Sequence, residues 1–161
     1  MPAQKGIRFA ATLTNEADPP LIALRLVMVD VAPEHPNVAR YRRMMAAFNA
    51  NDLSTVSELV APDVDYVVPG RSLISGRTRD LSGLLDMLRR CKELSAGTLR
   101  LELRSVVADE QYLFVYGRVT AQRNGKAIDS DHCVVFRFAD GKIVGGRTIP
   151  ADLYEFDDFW A

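Results

Sequence analysis

The chain has 161 residues, 48% of them hydrophobic and 25% charged, with a formal net charge of −1. That length holds one domain with a real core and is short for two ordinary ones. So small a net charge supplies no field to gather nucleic acid or an anionic membrane. The longest apolar stretch, LIALRLVMVDVA, is broken by Arg25 and Asp30 and is too short and too charged to span a bilayer. The two cysteines, Cys91 and Cys133, stand alone, outside any CxxC or Cys/His spacing. With no charged-then-apolar secretory signal at the N-terminus, they fit a reduced, cytoplasmic setting.

Residues 1–36 read as an extension that supplies an edge strand or a flexible arm. They carry DPP and APEHP with an apolar run between, and show no helical period. Met28 within them is an alternative start. The pattern sharpens over 37–161. In NVARYRRMMAAFNAND, Val38, Tyr41, Met44, Met45 and Phe48 recur every three or four residues, which predicts an amphipathic helix with Asn37 as its N-cap. Asp52 caps a second helix, LSTVSELV, which Pro62 stops. DVDYVVPG reads as a strand ending at Pro69-Gly70, and RSLISGRTR as a loop. A third helix carries the stripe Leu81, Leu84, Leu85, Leu88 and Cys91.

Beyond Gly97 the period becomes two. Leu99, Leu101 and Leu103 alternate with Arg100, Glu102 and Arg104. Strands are predicted over 98–107, 111–123, 127–138 and 142–149, with hairpins at Asn124-Gly125 and at Ala139-Asp140-Gly141. Three helices segregated from an antiparallel meander make an α+β domain. A curved sheet closed at one end by helices leaves a conical cavity, the usual place for a small ligand.

AAFNANDLSTVSELVAPDVDYVVPG and VVFRFADGKIVGGRT resemble the NTF2-like superfamily, and within it the SnoaL-like and ketosteroid-isomerase-like proteins. The resemblance spans roughly 38–160 and implies an NTF2-like cone. It does not imply one activity, because the fold carries isomerases, cyclases, hydrolases and binding modules. The isomerase base, tyrosine donor and protonated Asp of that family fall here on Val68, Met44 and Val134. Steroid isomerisation by those groups is therefore excluded. SnoaL-type cyclases use a carboxylate near the start of the penultimate strand, and Asp129 and Asp131 stand in that region. Side-chain alternation places them on the outer face, with Ser130, His132, Val134 and Phe136 facing inward. Gly145 and Gly146 stand where the family often carries Glu, and read as widening the cavity or bending its strand. Asp152 reads as a cap, and Leu153, Phe156, Phe159 and Trp160 as a tail folded over the domain or onto a partner.

The pocket candidates are Met44, Phe48, Tyr66, Val68, Val119, His132, Val134 and Phe136. Two functions follow. One is a protein binding a small apolar or aromatic molecule, oriented by hydrogen bonds from His132 and Tyr66. The other is a cofactor-independent cyclase, isomerase or hydrolase with His132 as acid/base and Tyr66 polarising a carbonyl. No metal-ligand cluster, P-loop or Ser-His-Asp arrangement is legible. Tyr112, Phe114, Tyr116 and Arg118 alternate onto the outer sheet face, a composition enriched at interfaces. With the pairing common in the family, this implies a homodimer through that face.

Overall fold

The computed structural model describes residues 8–12, 25–29 and 34–161. It divides into two compact units, Met1–Glu34 and His35–Ala161. In the first, β1 (Arg8–Thr12) and β2 (Arg25–Val29) pair antiparallel, Arg8 opposite Val29. The rest of the extension up to residue 33 lies outside the described residues.

The second unit begins with α1 (Pro36–Asn49). Its cap is His35, whose Nδ1 accepts the Asn37 N–H at 3.2 Å, with Pro36 in the first turn where no N–H is needed. Asn37, the expected cap, is buried instead. Its Nδ2 donates to the Asp109 carbonyl at 2.9 Å and its Oδ1 accepts from Arg40, tying the helix start to a strand turn. The helix α2 (Leu53–Leu59) is capped by Asp52, which accepts the Thr55 N–H. The chain passes straight into β3 (Val60–Val68), an earlier strand start than the sequence suggests. The expected loop at 71–79 contains a short strand, β4 (Gly76–Thr78), antiparallel to β3 and too brief for a periodic signal. Asp80 caps α3 (Leu81–Leu94) by accepting the Gly83 N–H at 2.7 Å.

Four long strands follow: β5 (Arg100–Ala108), β6 (Tyr112–Arg123), β7 (Lys126–Ala139) and β8 (Lys142–Pro150). The β6–β7 turn has Asn124 at φ 49° and Gly125 at φ 78°, the left-handed pair that a two-residue hairpin requires. The six-stranded sheet runs β4-β3-β8-β7-β6-β5. Every pair is antiparallel except β3–β8, which is parallel. Arg104 is an extra residue in β5, since Leu103 pairs with Gly117 and Ser105 with Tyr116.

A fourth helix, α4 (Leu153–Trp160), closes the chain, one more than the sequence suggests. Asp152 caps it, accepting from the Tyr154 and Glu155 N–H groups. Phe156, Phe159 and Trp160 are buried in the core of this unit, so the tail folds back over it; Leu153 is the exception, 41% exposed. No helix among the described residues is long and apolar enough to cross a membrane. This is the α+β arrangement of an NTF2-like cone.

Candidate functional site

A cavity of about 160 Å³ lies between the concave face of the sheet and the helices. From α1 it is lined by Met44 and Phe48, from β3 by Tyr66 and Val68, and from β6 by Val119. β7 contributes His132, Val134 and Phe136, so the structure brings all eight sequence candidates to one space. The three positions that would carry isomerase chemistry, Met44, Val68 and Val134, are thus apolar wall.

His132 reaches the cavity because the β6–β7 register is unbroken from Tyr112–Arg137 to Arg123–Lys126. With no bulge, alternation along β7 is preserved over the whole hairpin. Its cross-strand partner on β6 is Gly117, where the Glu102 backbone takes the place of a side chain. A Cβ at 117 would sit 2.7 Å from the Glu102 carbonyl oxygen. His132 is 6% exposed, and its ring lies 5.6 Å from that of Phe156, centroid to centroid. Burial pushes its pKa down to about 4, and the nearby Asp131 charge opposes this only in part. His132 is therefore neutral at pH 7, and its Nε2 has no hydrogen-bond partner among the described residues.

The aspartates lie on the outer face. Asp131 accepts from Arg104 at 2.8 Å and from the Tyr116 hydroxyl. Arg118 grips Asp129 through two nitrogens and holds its carboxyl below the ordinary range. The bulge at Arg104 contributes, letting its guanidinium reach Asp131 two strands away.

Tyr66 hydrogen-bonds Thr148, oxygen to oxygen at 2.7 Å, and burial pushes its pKa up to about 12. Its ring stacks on Phe136 at 5.9 Å, and Tyr41 packs against Phe136 at 5.4 Å. Burial raises Tyr41 as well. Gly146 makes this stack fit: a Cβ there would meet the Tyr66 and Phe136 rings at 2.9 Å. The space beside that glycine is filled by aromatic rings, so Gly146 does not widen the cavity as expected. Cys91, also in the wall, is pushed up to about 12 by burial and is no nucleophile at neutral pH.

Sequence reasoning missed Thr148, Phe156 and Trp160 as wall residues. Thr148 pairs with Val134 and so shares its face, which alternation along the last hairpin could have shown. The tail aromatics gave an apolar signal without an address.

The SnoaL-like domain model matches residues 41–146. An uncharacterised protein of Mycobacterium tuberculosis is 32% identical over 122 residues, 74% of this chain and 92% of that protein. Among solved structures, Bal32a from a soil-derived mobile gene cassette has a TM-score of 0.76 at 34% identity, covering 78% of this chain and 97% of its own. TerC, co-crystallised with polyporic acid, has a TM-score of 0.69 at 22% identity, covering 78% and 98%.

Proposed function

Since this chain belongs to the SnoaL-like family of the NTF2-like superfamily, we propose that it binds a small apolar or aromatic molecule in the cavity under the sheet. The observation that carries this is an apolar cavity with His132 in its wall, whose buried Nε2 has no hydrogen-bond partner among the described residues. A few convergent polar groups in an otherwise apolar pocket are the usual composition of a small-ligand site. His132 orients the ligand, and the Tyr66–Thr148 pair offers a second polar contact. Bal32a, at 34% identity, supports the same architecture.

The second reading is a cofactor-independent cyclase, isomerase or hydrolase with His132 as acid/base. The unpartnered Nε2 serves this reading too. Its pKa near 4 weighs against it, because a general base works best when its pKa lies near the operating pH. The carboxylates that could raise it, Asp129 and Asp131, are committed to arginines on the other face.

A thermal-shift screen with aromatic ketones, phenols and epoxides on wild type and His132→Ala tests both readings. A ligand of the folded state raises apparent stability by mass action. Binding with the compound recovered unchanged supports the first; product that disappears in His132→Ala establishes the second.

The same proposal extends to assembly. Tyr112, Phe114 and Tyr116 are all at least 41% exposed on the outer face. Pairing places Val107 beside Phe114, and Cys133 between Tyr116 and Ile149, so the apolar surface is continuous across strands. A second copy of the chain covers it, as a face of this composition needs.

A further inference from the structure

Among the described residues, three buried side-chain nitrogens have no hydrogen-bond partner: Arg123 Nε, His132 Nε2 and Trp160 Nε1. The residues that carry the last two, His132 and Trp160, both line the same cavity. Trp160 is 2% exposed, so its indole N–H is withdrawn from solvent as well as unpaired. Buried donors are nearly always satisfied, and one left over asks for a partner that the described residues do not supply.

We propose that the Trp160 indole N–H is a ligand-binding donor which, with His132 Nε2, selects a small aromatic carbonyl compound. This rests on the ligand-binding reading above and narrows it to a chemical class. An indole nitrogen only donates, so the ligand atom facing it is an acceptor oxygen. A neutral imidazole nitrogen either donates or accepts, so the His132 end takes a carbonyl or a hydroxyl. Both rings pack on Phe156, whose centroid lies 5.6 Å from that of His132 and 6.4 Å from that of Trp160. The two rings therefore flank one aromatic side chain, the natural neighbour for a ligand ring.

Size points the same way. The cavity, about 160 Å³, is close to the roughly 150 Å³ of an engineered apolar cavity that binds benzene. One aromatic ring with a short substituent matches that volume, and the flexible side chains of Met44, Met45 and Met87 in the wall shift to let it reach the two nitrogens. A buried water typically makes about three hydrogen bonds. The rings packed on the indole, Phe156 and Phe159, offer it none.

The indole is held in place from several sides. Phe159 meets it edge-on at 4.8 Å, and the Trp160 carbonyl accepts the Leu73 N–H at 3.1 Å. Arg123 donates to the carbonyls of Phe159 and Ala161, fixing the helix end. Such a donor is preorganised, so a ligand does not have to order it.

Acetophenone and its near-isostere α-methylstyrene, in which a methylene group replaces the carbonyl oxygen, test this on the full chain. The chain has one tryptophan, so a ¹⁵N-labelled sample shows one indole N–H resonance. Acetophenone is expected to move that proton downfield to saturation, and α-methylstyrene to bind without doing so. In calorimetry, Trp160→Phe is expected to weaken acetophenone about tenfold while changing α-methylstyrene by less than about twofold. Two bound compounds and an unmoved indole proton would overturn the role of Trp160 and leave the ligand-binding reading standing. Saturable binding of neither compound to the wild type would overturn both.

Discussion

Asp131 and His132 are neighbours in sequence and point to opposite faces of β7. The carboxylate is bound to Arg104 and Tyr116 outside, while the imidazole faces the apolar cavity. A histidine preceded by aspartates thus gains only a weaker opposing charge effect from Asp131, and desolvation dominates its ionisation.

The pH dependence of stability follows with a definite sign. The folded-state pKa, about 4, lies below the unfolded value near 6.5. The unfolded chain takes up the proton first, so this contribution is fully present above pH 6.5 and is lost as pH falls to about 4. The loss is on the order of 3 kcal/mol. Carboxylates held low by arginines, Asp65 and Asp129, titrate below that window. Urea unfolding at pH 7 and pH 4.5 is expected to show the decline in wild type and a much flatter profile in His132→Phe.

Gly146→Ala places a methyl group against two aromatic rings and, at 2.8 Å, the Val135 carbonyl oxygen. The backbone contact cannot be relieved by rotating a side chain. The expected cost is about 1–3 kcal/mol, read as a lower urea midpoint, together with altered ligand affinity as the Tyr66–Phe136 stack shifts.

Phe114 is 50% exposed at the centre of the outer apolar face. Phe114→Glu puts a charge where a second copy would desolvate it. Light scattering coupled to size exclusion is expected to give a dimer for wild type and a monomer for the variant, with unchanged circular dichroism. A wild-type monomer at high micromolar concentration would refute the assembly.

Much of this architecture was legible because one signal, alternation, governs both β7 and its partner strands. It separated His132 from Asp129 and Asp131, and an uninterrupted register preserved the separation. The first and third helices were legible from their stripes. The cap of α1 was displaced by two residues because His35 supplies an acceptor while Asn37 is drawn to the Asp109 carbonyl, a contact 72 positions away. Thr148 and Trp160 were missed for different reasons. For Trp160 what matters is where the tail helix packs, of which local pattern carries no record, whereas Thr148 could have been found by carrying the alternation of β7 across its hairpin. Gly146 was noticed, but its purpose depends on two rings from other strands.

The central claim, that the cavity holds a small aromatic ligand anchored at His132, is tested most directly by calorimetric titration of wild type and His132→Phe with acetophenone at several temperatures. The account predicts saturable binding of one molecule per chain, a negative heat-capacity change from apolar burial, and affinity weakened about tenfold by the substitution. Equal affinity in both proteins, or no saturable heat from the wild type, would contradict it.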